Sequence, residues 1–137
     1  MIIIGRSISR GIGTGELLVS PAPISFLSGV DPQTGIIIEK GHPLQGKCIT
    51  GKVLAFPYGK GSTVGSYVLY ALSRNGNAPA AIINEEAEPI IVTGAIIGRI
   101  PMVDRIGIPL NRLKNGVGVT VDGDRGELEY NGELADS

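Results

Sequence analysis

Residues 53–74 read VLAFPYGKGSTVGSYVLYALSR, and this stretch carries the features on which the fold prediction rests. An apolar run stops at Pro57, which cannot continue a central strand, so a strand is predicted over Lys47–Phe56. A glycine-rich turn follows it. Apolar side chains then recur at helical spacing and predict one helix over Thr63–Arg74, with its buried face formed by Val64, Tyr67, Val68, Ala71 and Leu72.

The rest of the chain predicts β-structure around that helix. Of 137 residues, 19 are Ile, 10 are Val and 21 are Gly, a composition typical of strands separated by turns. A weak second helix is predicted around Pro109–Lys114. Further strands are predicted at Ile2–Ile4, Glu16–Ser20, Ile36–Glu39, Ala80–Asn84, Ile90–Val92, Ala95–Gly98, Val117–Asp122 and Glu127–Tyr130. The expected fold is a β-rich α+β domain, a small barrel or sandwich with one main helix, over residues 1–130 and followed by a polar tail, 131–137.

Charge and composition exclude several classes of function. Twelve Lys and Arg against thirteen Asp and Glu leave a net charge of -1, which provides no basic field for nucleic acid or an anionic membrane. Cys48 is the single cysteine and His42 the single histidine, so a metal centre built by this chain alone is not expected. Cys48 is expected to be buried, and His42 is expected to be a surface or loop residue rather than a catalytic one. With no signal-peptide pattern and no long apolar segment, a soluble cytoplasmic protein is expected.

The glycine-rich turn before the helix is the candidate site. Unpaired N–H groups at a helix N-terminus favour anions, Gly59 and Gly61 allow the backbone to approach a ligand closely, and Lys60 adds a full charge. The spacing matches neither a P-loop nor a dinucleotide-binding fingerprint. The same residues are also typical of a simple turn in which Ser62 or Thr63 caps the helix. Sequence chemistry alone therefore leaves an anion site and a plain N-cap both open.

Several blocks of the chain, in order over roughly residues 5–110, resemble the small subunit of the aconitase X family. They are Gly11–Ser20, Ile24–Gly35, His42–Gly46, Gly51–Pro57, Gly59–Ser66, Ala78–Ile83 and Thr93–Ile97. The resemblance implies a swivelling β/β/α domain that corresponds to the mobile domain of aconitase. It also implies a large partner subunit that holds a [4Fe-4S] cluster through its own cysteines.

For activity, the resemblance implies a hydro-lyase that is inactive without its partner. The reaction it implies is dehydration of (R)-5-phosphomevalonate to trans-anhydromevalonate 5-phosphate in archaeal-type isoprenoid synthesis. A hydroxyproline-like acid is the alternative substrate, and a non-catalytic anion-binding module the alternative function. The resemblance makes Ser62 the proton acceptor, with Lys60, Gly61 and Thr63 as substrate contacts and no metal ligand in this chain.

Overall fold

A computed structural model describes residues 1–136, in which one eight-stranded sheet carries two helices on one face and a two-stranded sheet lies beside it. The strands are β1 (Ile2–Ile4), β2 (Arg6–Ser9), β3 (Ile12–Val19), β4 (Val30–Asp31), β5 (Ile36–Ile37), β6 (Val53–Phe56), β7 (Ala81–Asn84), β8 (Met102–Asp104), β9 (Gly118–Asp122) and β10 (Glu127–Tyr130). The helices are α1 (Gly65–Arg74) and α2 (Pro89–Ile97), and a short 3₁₀ turn covers Leu110–Arg112.

The large sheet curls until its two edges meet. Its strand order is β1-β10-β9-β3-β6-β7-β8-β2, with β3, β6, β7 and β8 parallel to one another. The two edge strands, β1 and β2, are separated in the chain by Gly5 alone. A side chain at Gly5 would lie 2.6 Å from the carbonyl oxygen of Asp104, so only glycine fits at this closure. The sheet is therefore barrel-like, as the sequence predicts.

Side chains along the central strands point alternately to the two faces of the sheet, and each face contributes to a separate hydrophobic core. In β6, Val53 and Ala55 face the barrel interior, whereas Leu54 and Phe56 face the helices. All four residues are fully buried. Helices α1 and α2 cover the outer face as the crossovers between β6, β7 and β8, and the rings of Phe26 and Phe56 pack there with centroids 5.9 Å apart. Strands β6 and β7 are thus buried on both faces, which explains their apolar sequences, VLAF and AII.

The second helix corrects the sequence analysis. Ile90–Val92 and Ala95–Gly98, predicted as strands, lie in or directly after α2. Glu88 caps this helix by accepting hydrogen bonds from the amides of Ile90 and Ile91, and Pro89 occupies its first turn. Apolar residues lie on every side of α2, so the sequence has no helical periodicity. The fold has two helices rather than one.

Other differences are smaller. The predicted strand Lys47–Phe56 shortens to Val53–Phe56, and the predicted helix around Pro109–Lys114 is a 3₁₀ turn. Cys48, expected to be buried, is exposed, because it forms only an isolated bridge with Ile36 instead of joining a strand. Strands β2, β4 and β8 are short segments that the sequence analysis did not predict.

His42 lies in a loop but is buried, not on the surface. Its Nδ1 accepts a hydrogen bond from the amide of Leu44 at 3.0 Å, and its Nε2 lies 3.1 Å from the carbonyl oxygen of Pro23. These two contacts require the neutral tautomer protonated at Nε2. His42 therefore ties the loop before β6 to the loop after β3.

The last described residues contact the barrel. Leu134 packs against the interior core, and the amide of Ala135 donates to the carbonyl oxygen of Arg112 at 2.7 Å. Ser137, the last residue of the predicted tail, lies outside the described residues. Within residues 1–136, no helix has the length and apolar character needed to cross a bilayer.

Two arginine–carboxylate pairs hold the loop that connects β7 to α2. Asp104 is fully buried, accepts two hydrogen bonds from Arg6 at 2.9 and 2.7 Å, and accepts a third from the amide of Ala87 at 2.7 Å. Arg105 donates two hydrogen bonds to Glu86 at 2.9 and 2.6 Å, and these lower the pKa of Glu86 from its usual value. The start of α2 is thereby fixed to the end of β8.

The two carboxylates are expected to contribute very differently to stability. Asp104→Asn replaces a buried acceptor of three hydrogen bonds and should lower the free energy of unfolding by about 1–3 kcal/mol. Glu86→Gln, the matched change in the exposed pair, should have a much smaller effect because water screens that pair. Urea unfolding of the two variants tests this, and equal losses would contradict the anchoring role of Asp104.

The Glu86 pair also predicts a pH dependence. Because folding lowers the pKa of Glu86, the pair stabilises the folded state above the unfolded pKa and loses that contribution as the pH falls through the folded pKa. The difference in free energy of unfolding between the wild type and Glu86→Gln should therefore be largest near neutral pH and shrink in acid. Unfolding curves from about pH 7 to about pH 3 measure it. A difference independent of pH would contradict the assignment.

Candidate functional site

The candidate site lies at the carboxyl edge of the parallel strands, where the loops that follow β3, β6, β7 and β8 meet. This edge is where open α/β sheets most often bind ligands. The glycine-rich loop, residues 57–64, leaves directly from β6 and pairs with Ile24 of the loop after β3. The amide of Ile24 donates to the carbonyl oxygen of Tyr58 at 3.3 Å, and the amide of Lys60 donates to the carbonyl oxygen of Ile24 at 3.0 Å. The base of the loop is thus fixed by backbone hydrogen bonds.

Two glycines let the loop approach its neighbours. A side chain at Gly59 would overlap Ile91 and lie 2.7 Å from Oε1 of Glu88, at the start of α2. Gly61 has a φ of +93°, and a side chain there would lie 2.6 Å from Oγ of Ser25. Any larger residue would move the loop away from α2 or from Ser25.

Ser62 does not cap the helix in the predicted way. Helix α1 begins at Gly65, and its N-cap, Val64, forms no side-chain capping hydrogen bond. The Ser62 hydroxyl oxygen instead accepts a hydrogen bond from the amide of Val64 at 3.1 Å, in the turn that precedes the helix. Neither Ser62 nor Thr63 is therefore the side-chain cap that the sequence favoured, and the Ser62 hydroxyl stays exposed beside the loop backbone.

Unpaired backbone donors lie next to Ser62 in the chain. Within residues 1–136, the amides of Gly61, Ser62 and Thr63 have no acceptor, and all three residues are exposed. Successive free amides of this kind form a concavity suited to an anion. Lys60 contributes a charge, but its Nζ lies 3.3 Å from Oε2 of Glu39. The loop therefore offers polar donors whose main cation is already partnered.

The four predicted site residues lie on one loop but face two depressions. Thr63 borders a groove between α1 and α2, together with Ser66, Tyr67, Pro89, Ile90 and Thr93. Lys60 and Gly61 border a second pocket with Ser25, Leu27, Ser28, Gly29 and Glu39. Ser62 lies between them in the chain. The structure thus places Lys60 and Gly61 on one pocket and Thr63 on the other, and Ser62 lines neither of the two.

The sequence analysis missed the residues that support this loop. Glu39 and Ser25 contact it from segments more than 20 residues away, and no local pattern indicates such contacts. Glu88 could have been found, because an acidic residue directly before Pro89 is typical of a helix N-terminus. Three of the four tyrosines, Tyr58, Tyr67 and Tyr70, are also exposed around the site.

An iron–sulfur cluster does not fit the residues of this chain. Among residues 1–136, no group of three or more His, Cys, Asp or Glu side chains is placed to hold a metal ion. Cys48 is the only thiol, and both ring nitrogens of His42 are occupied by contacts within the protein. A four-iron cluster needs several thiolate ligands.

Comparison with known proteins agrees with this architecture. The family model described as the aconitase X swivel domain matches residues 2–130. Two relatives are named phosphomevalonate dehydratase small subunit. The one from Pyrococcus furiosus is 59% identical over 125 residues, covering 91% of this chain and 92% of its own. The one from Methanocella arvoryzae is 59% identical over 130 residues, covering 94% and 98%.

Solved structures give the same result. The crystal structure of the holo-form of Thermococcus kodakaraensis aconitase X superposes with a TM-score of 0.90 at 54% identity, covering 95% of this chain and 98% of that one. The solution NMR structure of a UPF0107 protein gives a TM-score of 0.86 at 45% identity, with the same coverage. The expectation of a swivel domain is confirmed, and the chain belongs to the aconitase X family as its swivel domain.

Proposed function

We propose that this chain is the small subunit of a cytoplasmic dehydratase that converts (R)-5-phosphomevalonate to trans-anhydromevalonate 5-phosphate. The relatives at 59% identity carry the name of that enzyme's small subunit and are covered almost from end to end. Similarity of this extent includes the whole glycine-rich loop and both helices. It supports dehydration of phosphomevalonate, the reaction named for the relatives, rather than dehydration of a hydroxyproline-like acid.

The observation that carries the catalytic part of the proposal is the environment of the Ser62 hydroxyl. It is exposed at the carboxyl edge of the sheet and accepts a hydrogen bond from the amide of Val64. A free serine is a very weak base, so it can accept a proton only where donors stabilise the alkoxide. The Val64 amide is one such donor, and the free amides of the loop add positive potential beside it.

In the proposed reaction, the Ser62 alkoxide takes the proton from the carbon next to the substrate carboxylate and becomes a hydroxyl again. The electron pair of that C–H bond forms the carbon–carbon double bond, and the hydroxyl of the neighbouring carbon leaves as hydroxide, for which the iron–sulfur group of the large subunit would supply the Lewis acid. In this proposal the amides of Gly61 and Thr63, which have no acceptor within residues 1–136, bind a substrate oxygen. Lys60 supplies the cation nearest to the phosphate or the carboxylate. Each of these groups lies on the 57–64 loop, so its geometry relative to Ser62 is set by a single rigid segment.

The site is open on its outer side, and we propose that the large subunit closes it. Tyr58, Tyr67 and Tyr70 are 49%, 68% and 41% exposed and flank Ser62 on the loop and on α1. Exposed tyrosines concentrated in one place are typical of the centre of a protein interface. The described residues of this chain do not fit an iron–sulfur cluster, so in this proposal the large subunit holds the [4Fe-4S] group.

The test is anaerobic co-expression of this chain with the large subunit, followed by an assay of 5-phosphomevalonate dehydration. Activity should require both chains, and Ser62→Ala should lower kcat at least about 100-fold, because the proton acceptor is lost. The same variant should lower the free energy of unfolding by no more than about 1 kcal/mol, since only the Val64 hydrogen bond disappears.

Ser73→Ala is the matched control for this experiment. It removes a hydroxyl from α1 near the end of the helix that is far from the loop, where Ser73 donates to the carbonyl oxygen of Gly98. Its kcat should stay at the wild-type value. Equal activities of the two alanine variants would contradict the role of Ser62, and an active complex that dehydrates only a hydroxyproline-like acid would contradict the substrate.

A second prediction concerns the shape of the loop. Gly61→Ala places a methyl group against Ser25 Oγ in a left-handed conformation, so it should displace the loop and lower kcat as well as stability. Gly46→Ala is its control, because Gly46 has a φ of +86° and open space around it. Both variants should lose about 1–2 kcal/mol from backbone strain, but only Gly61→Ala should lose activity. Parallel kinetic and unfolding measurements decide this.

A further inference from the structure

The ion pair between Lys60 and Glu39 lies at the edge of the proposed substrate site. Lys60 Nζ and Glu39 Oε2 are 3.3 Å apart, and their side chains are 46% and 28% exposed. No other ion pair within residues 1–136 involves either side chain. The one cation of the glycine-rich loop is therefore compensated before any ligand arrives.

Both partners of this pair are held from the backbone. The Lys60 amide is fixed to Ile24, and Gly61 is confined by Ser25. On the other side, Glu39 Oε1 packs so close to Gly29 that a side chain there would lie 3.2 Å from it. The carbonyl oxygen of Glu39 also accepts from the amide of His42 at 3.2 Å. The backbones of both residues are thus anchored, and the Glu39 carboxylate lies where it competes with a ligand for the ammonium group.

The pair also borders a pocket that opens beside Gly61. Ser25, Ser28 and Gly29 line the pocket together with Glu39 and Lys60. Ser28 has a φ of +69°, a conformation that side chains rarely adopt, and it is exposed at the rim. An anion bound to the loop amides would therefore have the lysine on the same side as the glutamate.

We propose that Glu39 is a specificity-determining residue, which holds Lys60 in the free domain and releases it only to a ligand group of higher charge. This inference rests on the proposed function, because it assigns the phosphate of the substrate as that group. A carboxylate carries the same charge as Glu39, so exchanging one for the other brings no electrostatic gain. A phosphate monoester carries about -1.5 to -2 at neutral pH and offers three acceptor oxygens, so it competes successfully.

The Glu39 carboxylate therefore acts mainly by lowering the affinity for ligands that lack a phosphate group. Specificity is a difference between two affinities, and an unfavourable exchange for the competitor contributes as much as a favourable contact for the substrate. With Glu39 in place, hydroxy acids that carry only a carboxylate are disfavoured at Lys60. Removing the Glu39 charge should weaken this discrimination without removing the lysine.

The binding test uses the full chain with inorganic phosphate and acetate as probes, at constant ionic strength. Amide NMR shifts of Gly61, Ser62 and Thr63 report occupancy. Phosphate should bind more tightly than acetate to the wild type. Glu39→Gln should raise the affinity for acetate about two- to fivefold, the range for an exposed ion pair, and narrow the preference. Lys60→Gln should weaken phosphate binding and remove most of the preference.

Glu16→Gln is the matched control, because Glu16 forms a pair of the same kind with Lys52, at 3.2 Å, outside the site. It should leave both affinities unchanged. The proposal is overturned if Glu39→Gln changes the ratio of the affinities no more than Glu16→Gln does. It is equally overturned if phosphate produces no shift at residues 61–63.

Kinetics of the complex separate this proposal from the proposed function. In an active complex, Glu39→Gln should lower the ratio of kcat/KM for phosphomevalonate to that for the unphosphorylated acid. An active complex with an unchanged ratio would contradict the role of Glu39 alone. A complex without dehydratase activity, whose small subunit still shows the Lys60-dependent preference for phosphate, would contradict the proposed function and leave the role of Glu39 intact.

Discussion

Parallel pairing of β6 between β3 and β7 is the constraint on which the site depends. Val53, Leu54 and Ala55 are in register with residues of both neighbours, and β6 is fully buried on its two faces. Because the three strands run in the same direction, the loops that follow them must leave at one edge. The glycine-rich loop, the Ile24 segment and the start of α2 meet there for that reason. A one-residue slip of β6 would exchange its two buried faces and displace this loop.

The shape of the glycine-rich loop depends more on the close approach of its backbone to neighbouring residues than on capping of α1. Gly59 lets it rest on Ile91 and Glu88, and Gly61 lets it turn against Ser25. Glu88 has two functions here, since it caps α2 and forms part of the surface on which the loop lies. The Ser62 hydroxyl oxygen accepts its hydrogen bond from the amide of Val64, the residue that precedes the first turn of α1, and from no amide within the helix.

The sequence predicted the parts of this fold that depend on local pattern. Six predicted strands coincide with observed strands or contain them, because β-branched residues bounded by Gly and Pro are a local signal. Helix α2 was mistaken for two strands because its apolar residues follow no helical period: Ile91 and Ala95 are buried, whereas Ile96 and Ile97 are apolar but exposed. The glycine-rich loop was recognised from its composition. The contact of Glu39 with Lys60 was not, because 21 residues separate them and only the folded chain brings them together.

The distribution of charge suggests which of the two proposed subunits would attract the substrate and which would orient it. This chain has a net charge of -1, and the cation nearest Ser62 is paired with a carboxylate. It therefore contributes mainly to the orientation of a substrate with several negative charges. The groups that orient the substrate are the loop amides and one lysine, which can exchange its partner. In the proposed complex, strong attraction for that substrate would then come from the large subunit. Such a division fits a domain that swivels, because a small subunit with weak affinity of its own can open and release the product.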